Sequence, residues 1–174
     1  MTNQYHKTLV HYWATLRSAE QKGNIIKAMS TPEYYGDPRE RYMDTKLLNV
    51  FFTQEFAKKM SQSKLEEDHK IVVSNCNPGL VLSTNKEFML ENLPPQLVDL
   101  ARDLDEGSKT HIFACIDPSA GIPGEAIFYH NCEPTETADI TLGAEGDVLR
   151  QRVFKDTMDV LPPLDQSITG PLGL

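Results

Sequence analysis

The sequence predicts an α/β fold: a small parallel sheet of about three strands flanked by helices. Three observations carry this. Between positions 37 and 60 a capped, proline-marked start leads into apolar residues at helical spacing. Short runs rich in β-branched and aromatic residues at 24–29, 69–76 and 126–130 have the length of strands. Helix-length segments separate and follow those runs, and strands alternating with helices connect by right-handed crossovers into a parallel sheet.

Taken in order, Tyr5, Leu9, Tyr12 or Trp13 and Leu16 recur every three or four residues, so 3–20 reads as an amphipathic helix that Gly23 stops. Ile25 and Ile26 make 24–29 a buried strand. A loop with Pro32, Tyr34, Tyr35 and Gly36 leads to Asp37, Pro38 and Glu40, which look like an N-cap, a first-turn proline and the reciprocal acid of a capping box. In the helix they open, Tyr42, Leu47, Phe51, Phe52, Phe56 and Met60 cover a wide arc, which implies more than one neighbour. Residues 62–68 are polar. Ile71, Val72 and Val73 mark a second buried strand over 69–76, ended by Pro78 and Gly79. Asn92, Pro94 and Pro95 start a helix whose Leu97, Val98, Leu100, Ala101 and Leu104 are expected to point inward, and 106–116 reads as a second helical stretch. After a turn at 121–124, AIFYH at 126–130 is the third strand. Val148, Leu149, Val153, Phe154, Met158 and Leu161 define a last amphipathic helix over 144–161. Pro162, Pro163 and Pro171 mark a tail, giving one domain over 1–161 and a tail over 162–174.

A chain of 174 residues is one domain with a respectable core. Its net charge of -8 argues against nucleic acid or an anionic membrane as partner. Cys76, Cys115 and Cys132 are odd in number and form no CxxC, so they read as ordinary thiols in a reducing compartment. His6, His11, His69, His111 and His130 share no metal-ligand spacing and read as surface or part-buried side chains, with no metal expected. No apolar run approaches the roughly 18 residues of a membrane helix, and a soluble, cytoplasmic protein is expected.

The chemistry centres on Tyr42 and Lys46. Four residues apart on a helix, they share a face, and a fixed ammonium beside a phenol favours the phenolate of a group whose ordinary pKa is about 10. By itself this pair also describes a core-edge tyrosine beside a solvated lysine. Around it, however, RYMDTKLLNVFFTQEFAKKM followed by VVSNCNPGLVLST resembles the second half of a short-chain dehydrogenase/reductase, where a YxxxK helix leads to a strand ending in a Pro-Gly turn. Thr45 stands where that family often has serine, while Leu47 and Asn49 agree with it. The resemblance runs from about Asn3 to about Leu161.

That resemblance implies site roles. Tyr42 would be the proton donor and Lys46 the residue that tunes it. Ser30 would hydrogen-bond the substrate oxygen, and Asn3 would help hold a proton-relay water. Pro78 and Gly79 match the turn after the strand, Ser83 sits where the family often has a threonine that meets the nicotinamide amide, and His6 stands where the family's N-x-x-G motif usually has a small residue; these four are the expected substrate-binding residues. Each also has a plainer meaning: Ser30 as a loop hydroxyl bonded to its own backbone, Pro78 and Gly79 as a tight turn.

The resemblance stops short of the family's Gly-rich dinucleotide-binding half. No G-x-x-x-G-x-G lies in the N-terminal region, no N-N-A-G follows, and Gly23 is the first glycine. The expectation is therefore a truncated Rossmann-like fold with no cofactor. The unpaired edge of the first strand and the broad apolar arc lead to an expected homodimer. The functional expectation is a cofactor-independent acid/base enzyme, an isomerase, dehydratase, retro-aldolase or cyclase of secondary metabolism, acting on a hydrophobic small molecule with a carbonyl or hydroxyl. The alternatives are a non-catalytic binding or regulatory protein, and an NAD(P)-dependent oxidoreductase completed by a partner chain.

Overall fold

The structure, a computed structural model, describes residues 10–17, 23–34, 37–83 and 86–161, the Asn92 side chain excepted. Its helices are α1 (Ile25–Met29), α2 (Pro38–Ser61), α3 (Lys86–Asn92), α4 (Pro95–Val98), α5 (Leu104–Ile116) and α6 (Gly143–Met158). Its strands are β1 (Val73–Asn77), β2 (Leu80–Val81), β3 (Ala101–Arg102), β4 (Ala126–His130) and β5 (Glu133–Pro134).

Helix α2 organises the molecule. The Asp37 side chain accepts from the Arg39 N–H, Pro38 occupies the first turn, and Glu40 pairs with the Arg17 guanidinium at 3.5 Å. From there the wide apolar arc meets two neighbours. On one side Leu47 and Phe51 join Leu16, Ile25, Met29 and Val153 in the main core, which brings α1 and α6 against α2. Further along, Phe52 stacks on Phe154 of α6 at 5.1 Å, and Arg150 of α6 holds the buried Glu55 carboxylate at 2.9 Å. On the other side Val50 packs against Phe128 of β4, so the sheet lies across α2.

The sheet is three strands in the order β1-β4-β5. β1 and β4 run parallel from Val73 opposite Ala126 to Asn77 opposite His130, as the α/β pattern requires. β5 returns antiparallel to β4 across Asn131 and Cys132, whose φ values of 56° and 61° are the left-handed pair that a tight two-residue hairpin needs. A separate parallel pair joins β2 to β3. Helix α5 covers the face of the sheet away from α2, where Phe113 meets Tyr129 edge-on at 5.4 Å and the Tyr129 hydroxyl accepts from the Gly121 N–H at 2.7 Å.

Several expectations change. Residues 24–29 are helical, not a strand. Asn24 caps α1 by accepting from the Lys27 N–H, the Asp156 carboxylate accepts from the Ile25 N–H at 2.7 Å, and Ile25 and Met29, four apart, are both buried. Of the expected strands, 126–130 is β4, while 69–76 shrinks to β1 and leaves Ile71 and Val72 exposed; the remaining member of the sheet is β5, whose antiparallel pairing makes the sheet mixed. The segment 92–104 is not one helix: α4 is a single turn, after which the backbone extends to pair Ala101 and Arg102 with β2, leaving Val98, Leu100 and Leu104 exposed. Val148 of α6 and Trp13 also face solvent. Of the expected first helix, the described part is a 3-10 turn at Val10–Trp13; its beginning and the tail over 162–174 lie outside the described residues.

One buried carboxylate ties this N-terminal segment down. Oδ1 of Asp44 accepts from the backbone N–H of Thr15 at 3.0 Å and of Leu16 at 2.9 Å. Asp44→Ala leaves two donors without their acceptor and is expected to lower unfolding free energy by about 1–3 kcal/mol in urea titrations. Asp44→Asn, which keeps an acceptor oxygen, recovers most of it. An unchanged midpoint in Asp44→Ala removes this carboxylate from the account of the fold.

Candidate functional site

A cavity of about 400 Å³ opens between α2, the end of β1 and the Val10–Trp13 turn. Tyr42, Lys46, Asn49 and Val50 line it from α2, one stripe at spacings of four, three and one. β1 contributes Asn75 and Asn77, two residues apart and therefore on the same face of the strand. Pro78, Gly79 and Leu80 form a wall, Leu97 faces it, and His11 and Phe128 close the inner end.

The mouth is polar and accessible. Tyr42 is 52% exposed, and the Lys46 ammonium lies over its ring, 5.2 Å from the centroid. The inner end is the opposite. His11 is 3% exposed, and its ring lies 4.7 Å from both Tyr12 and Phe128. Burial lowers the His11 pKa to about 4, so the ring is neutral at pH 7. Nε2 of His11 and Nδ2 of Asn75 are buried with no hydrogen-bond partner among the described residues.

The Pro-Gly wall is held by two side chains, Asn77 and Arg102. The Asn77 side chain accepts from the Gly79 N–H at 3.2 Å while its amide nitrogen meets Nδ1 of His130 at 3.1 Å. Burial lowers the His130 pKa, helped by the nearby Arg102 and opposed by the Asn77 hydrogen bond. The Arg102 guanidinium donates to the Pro78 carbonyl at 3.4 Å and to the Asn131 side chain at 2.6 Å. Gly79 has φ of 80°, and a Cβ there would stand 3.0 Å from that guanidinium, so the position takes only glycine without strain.

Of the residues singled out in the sequence, Tyr42, Lys46, Pro78 and Gly79 meet at this cavity. Ser30 ends α1, exposed, with its hydroxyl donating to the Ile26 carbonyl at 2.9 Å; it is not among the described lining residues. Ser83 is exposed beyond β2 and is likewise absent from that lining. Asn3 and His6 lie outside the described residues. His11 and His130 are buried, against the expectation of surface or part-buried histidines. Asn75 and Asn77 are lining residues that sequence reasoning did not select. A signal existed for the asparagines: polar residues two apart in VSNCNPG put one polar face next to a Pro-Gly turn.

Among the described residues no group of three or more His, Cys, Asp or Glu side chains could hold a metal ion, and no helix is long and apolar enough to cross a membrane. The N-termini of the three longest described helices do not suit an anion such as a pyrophosphate. The first turns of the three longest helices carry Glu40 after the Asp37 cap, Asp105 and Glu106 after the Asp103 cap, and Glu145. Carboxylates at those positions repel the anion that a helix N-terminus otherwise attracts.

With this geometry in place, comparison with known proteins gives one informative match. Over 153 residues the chain is 28% identical to a protein of Arthrobotrys oligospora named as a short chain dehydrogenase. The chain is similar to a short chain dehydrogenase. The match covers 86% of this chain and 44% of the relative, so the chain spans less than half of that protein's length. No family model matches, and no solved structure does.

The neutral His11 has a measurable consequence. The unfolded chain protonates this histidine near 6.5 and the folded chain only near 4, so between those values the unfolded state binds more protons. Stability is therefore full above about pH 6.5 and falls as the pH drops toward 4, by at most about 1.4 kcal/mol per pH unit from this group. In pH-dependent urea unfolding, His11→Phe is expected to flatten that slope relative to the unaltered chain, whose remaining slope comes from His130 and the carboxylates. Identical slopes in the two proteins would show that His11 titrates normally.

Proposed function

We propose that the chain is an acid/base catalyst of short-chain dehydrogenase descent that acts, without a dinucleotide, on an apolar small molecule bearing a carbonyl or hydroxyl. The observation that carries this reading is the Tyr42 phenol at the mouth of an apolar-bodied cavity with the Lys46 ammonium over its ring. Val50, Leu97 and Phe128 supply the surface for a hydrocarbon body. The Tyr42 hydroxyl gives its proton to the carbonyl oxygen while solvent water at the exposed mouth takes the proton from the adjacent carbon, and Lys46 balances the charge left on the phenol oxygen. Isomerisation, dehydration, retro-aldol cleavage and cyclisation all pass through such an enol or alkoxide. Ser30, bonded to the Ile26 carbonyl, has no part in this version of the site.

A second reading is favoured by the length of the matched relative: a dehydrogenase site completed by a nucleotide-binding half outside these 174 residues. The two readings differ in what the chain does by itself. Enolisation of 4-phenyl-2-butanone in D2O, followed by NMR as deuterium uptake next to the carbonyl, is expected to be accelerated by the unaltered chain. Tyr42→Phe, at an exposed position, should leave the melting temperature in place and cut the exchange rate about a hundredfold. Exchange at an equal rate in Tyr42→Phe would refute the mechanism. Ketone reduction that appears only when NADPH and a partner polypeptide are both added would favour the second reading.

A further inference from the structure

β1 and β4 end side by side, with Asn77 opposite His130 in the parallel ladder. His130 is two residues from Phe128, so both side chains lie on the face that packs on Val50 of α2. His130 is buried, while Asn77 lines the cavity next to Pro78 and Gly79. One amide serves two groups here. The Gly79 N–H, 3.2 Å away, can only donate, so the Asn77 atom that faces it is the oxygen. The Asn77 nitrogen therefore faces Nδ1 of His130 at 3.1 Å. An amide NH2 also only donates, which makes Nδ1 the bare nitrogen and puts the ring proton on Nε2.

An imidazolium carries a proton on both nitrogens, and the arrangement then fails in either orientation of the amide. Left as it is, the Asn77 NH2 meets a second donor at Nδ1. Turned over, it offers its oxygen to His130 but presents its NH2 to the Gly79 N–H. Asn77 can satisfy both neighbours only while the ring is neutral. Burial and the Arg102 guanidinium, which also braces the Pro78 carbonyl, favour that state. Charged groups on the other elements around the ring are Glu133, opposite His130 on β5, and Lys46, on the α2 side of the cavity; α5 covers the opposite face. We propose that His130 and Asn77 are positioning residues for the cavity: the bare Nδ1 of His130 fixes the Asn77 amide, and the amide fixes the Pro78–Gly79 wall against which a ligand packs. His130 acts through Asn77 and touches no ligand itself. The inference rests on the reading that this cavity binds a ketone, and it adds what holds the wall in place: once His130 is protonated, the wall loses one of its two braces and affinity falls.

In the 15N-labelled unaltered chain, long-range proton–nitrogen correlation at pH 7 is expected to show His130 bare at Nδ1 and protonated at Nε2. As the pH is lowered, the Gly79 amide signal should move with the same midpoint as the His130 ring. Asn77→Asp offers an oxygen to both neighbours, so it should raise that midpoint by about one pH unit or more and hold the Gly79 signal still through it. A side chain that only stabilised the fold would leave the His130 titration where it is. By calorimetry, 4-phenyl-2-butanone should bind the unaltered chain about tenfold more weakly below the His130 midpoint than above it, and Asn77→Asp should lack that step. His11, present in both proteins, cancels in the comparison. Should Asn77→Asp not fold, the ring tautomer and the Gly79 titration of the unaltered chain decide the matter. A proton on Nδ1 at pH 7, a Gly79 signal indifferent to the His130 titration, or a ketone affinity with no step at that midpoint would each overturn the inference. Absence of ketone binding at every pH, with the coupled titration intact, would overturn the ketone reading and leave the hold of His130 and Asn77 on the wall standing.

Discussion

The Asp44 carboxylate is the interaction on which the rest of the site depends. It projects from α2 into a buried position and accepts two adjacent backbone N–H groups, those of Thr15 and Leu16. A carboxylate taken out of water is stable only when its oxygens are answered, and an N–H taken out of water only when it has an acceptor. The two requirements meet here, and the result is that the 10–17 segment has a fixed position across α2. Leu16, at φ of 45°, is then almost wholly buried in the main core. His11, on the preceding turn, is carried onto Phe128 at the inner end of the cavity.

α2 carries three environments along one helix, and each is set by its residue types. The Leu47–Phe51 side is closed by α1 and α6. Val50 turns toward the sheet. The Tyr42–Lys46 side is left open to the cavity. Glu55 shows how firmly the closed side is held: its carboxylate is buried, and Arg150, itself largely covered and also within 3.0 Å of Asp147, provides the compensating charge. Removing one partner of such a pair leaves an uncompensated buried ion, so the pair fixes the register of α6 on α2. Rigid packing on two sides is what lets the third present a phenol and an ammonium in a constant relation.

Much of this is legible in the sequence, and the parts that are not share a cause. The Asp37-Pro38 start, the long α2 helix and the Tyr42–Lys46 face follow from local rules of capping and periodicity. AIFYH is a strand for equally local reasons. Ile25 and Ile26 mislead because β-branched residues favour strands in general, whereas here Asn24 and Asp156 satisfy the helix's free N–H groups and Ile25 and Met29 find a core four residues apart. The Asp156 contact is distant in the chain and cannot be read from a window. The same holds for His11: nothing in VHYW says that its ring will be buried against a strand more than a hundred residues later. Asn75 and Asn77 were visible as a polar face, but which helix faced them was not.

Arg102 joins parts of the molecule that would otherwise be independent. It belongs to the two-stranded sheet, yet its guanidinium reaches the carbonyl before Gly79 and the side chain of Asn131 in the hairpin of the larger sheet. The strand that carries it follows α4, whose Leu97 faces the cavity. One side chain thus ties the Pro78–Gly79 wall of the cavity to the corner of the β4–β5 hairpin, two places that no backbone pairing connects among the described residues. Shortening Arg102 would therefore be felt in both places at once.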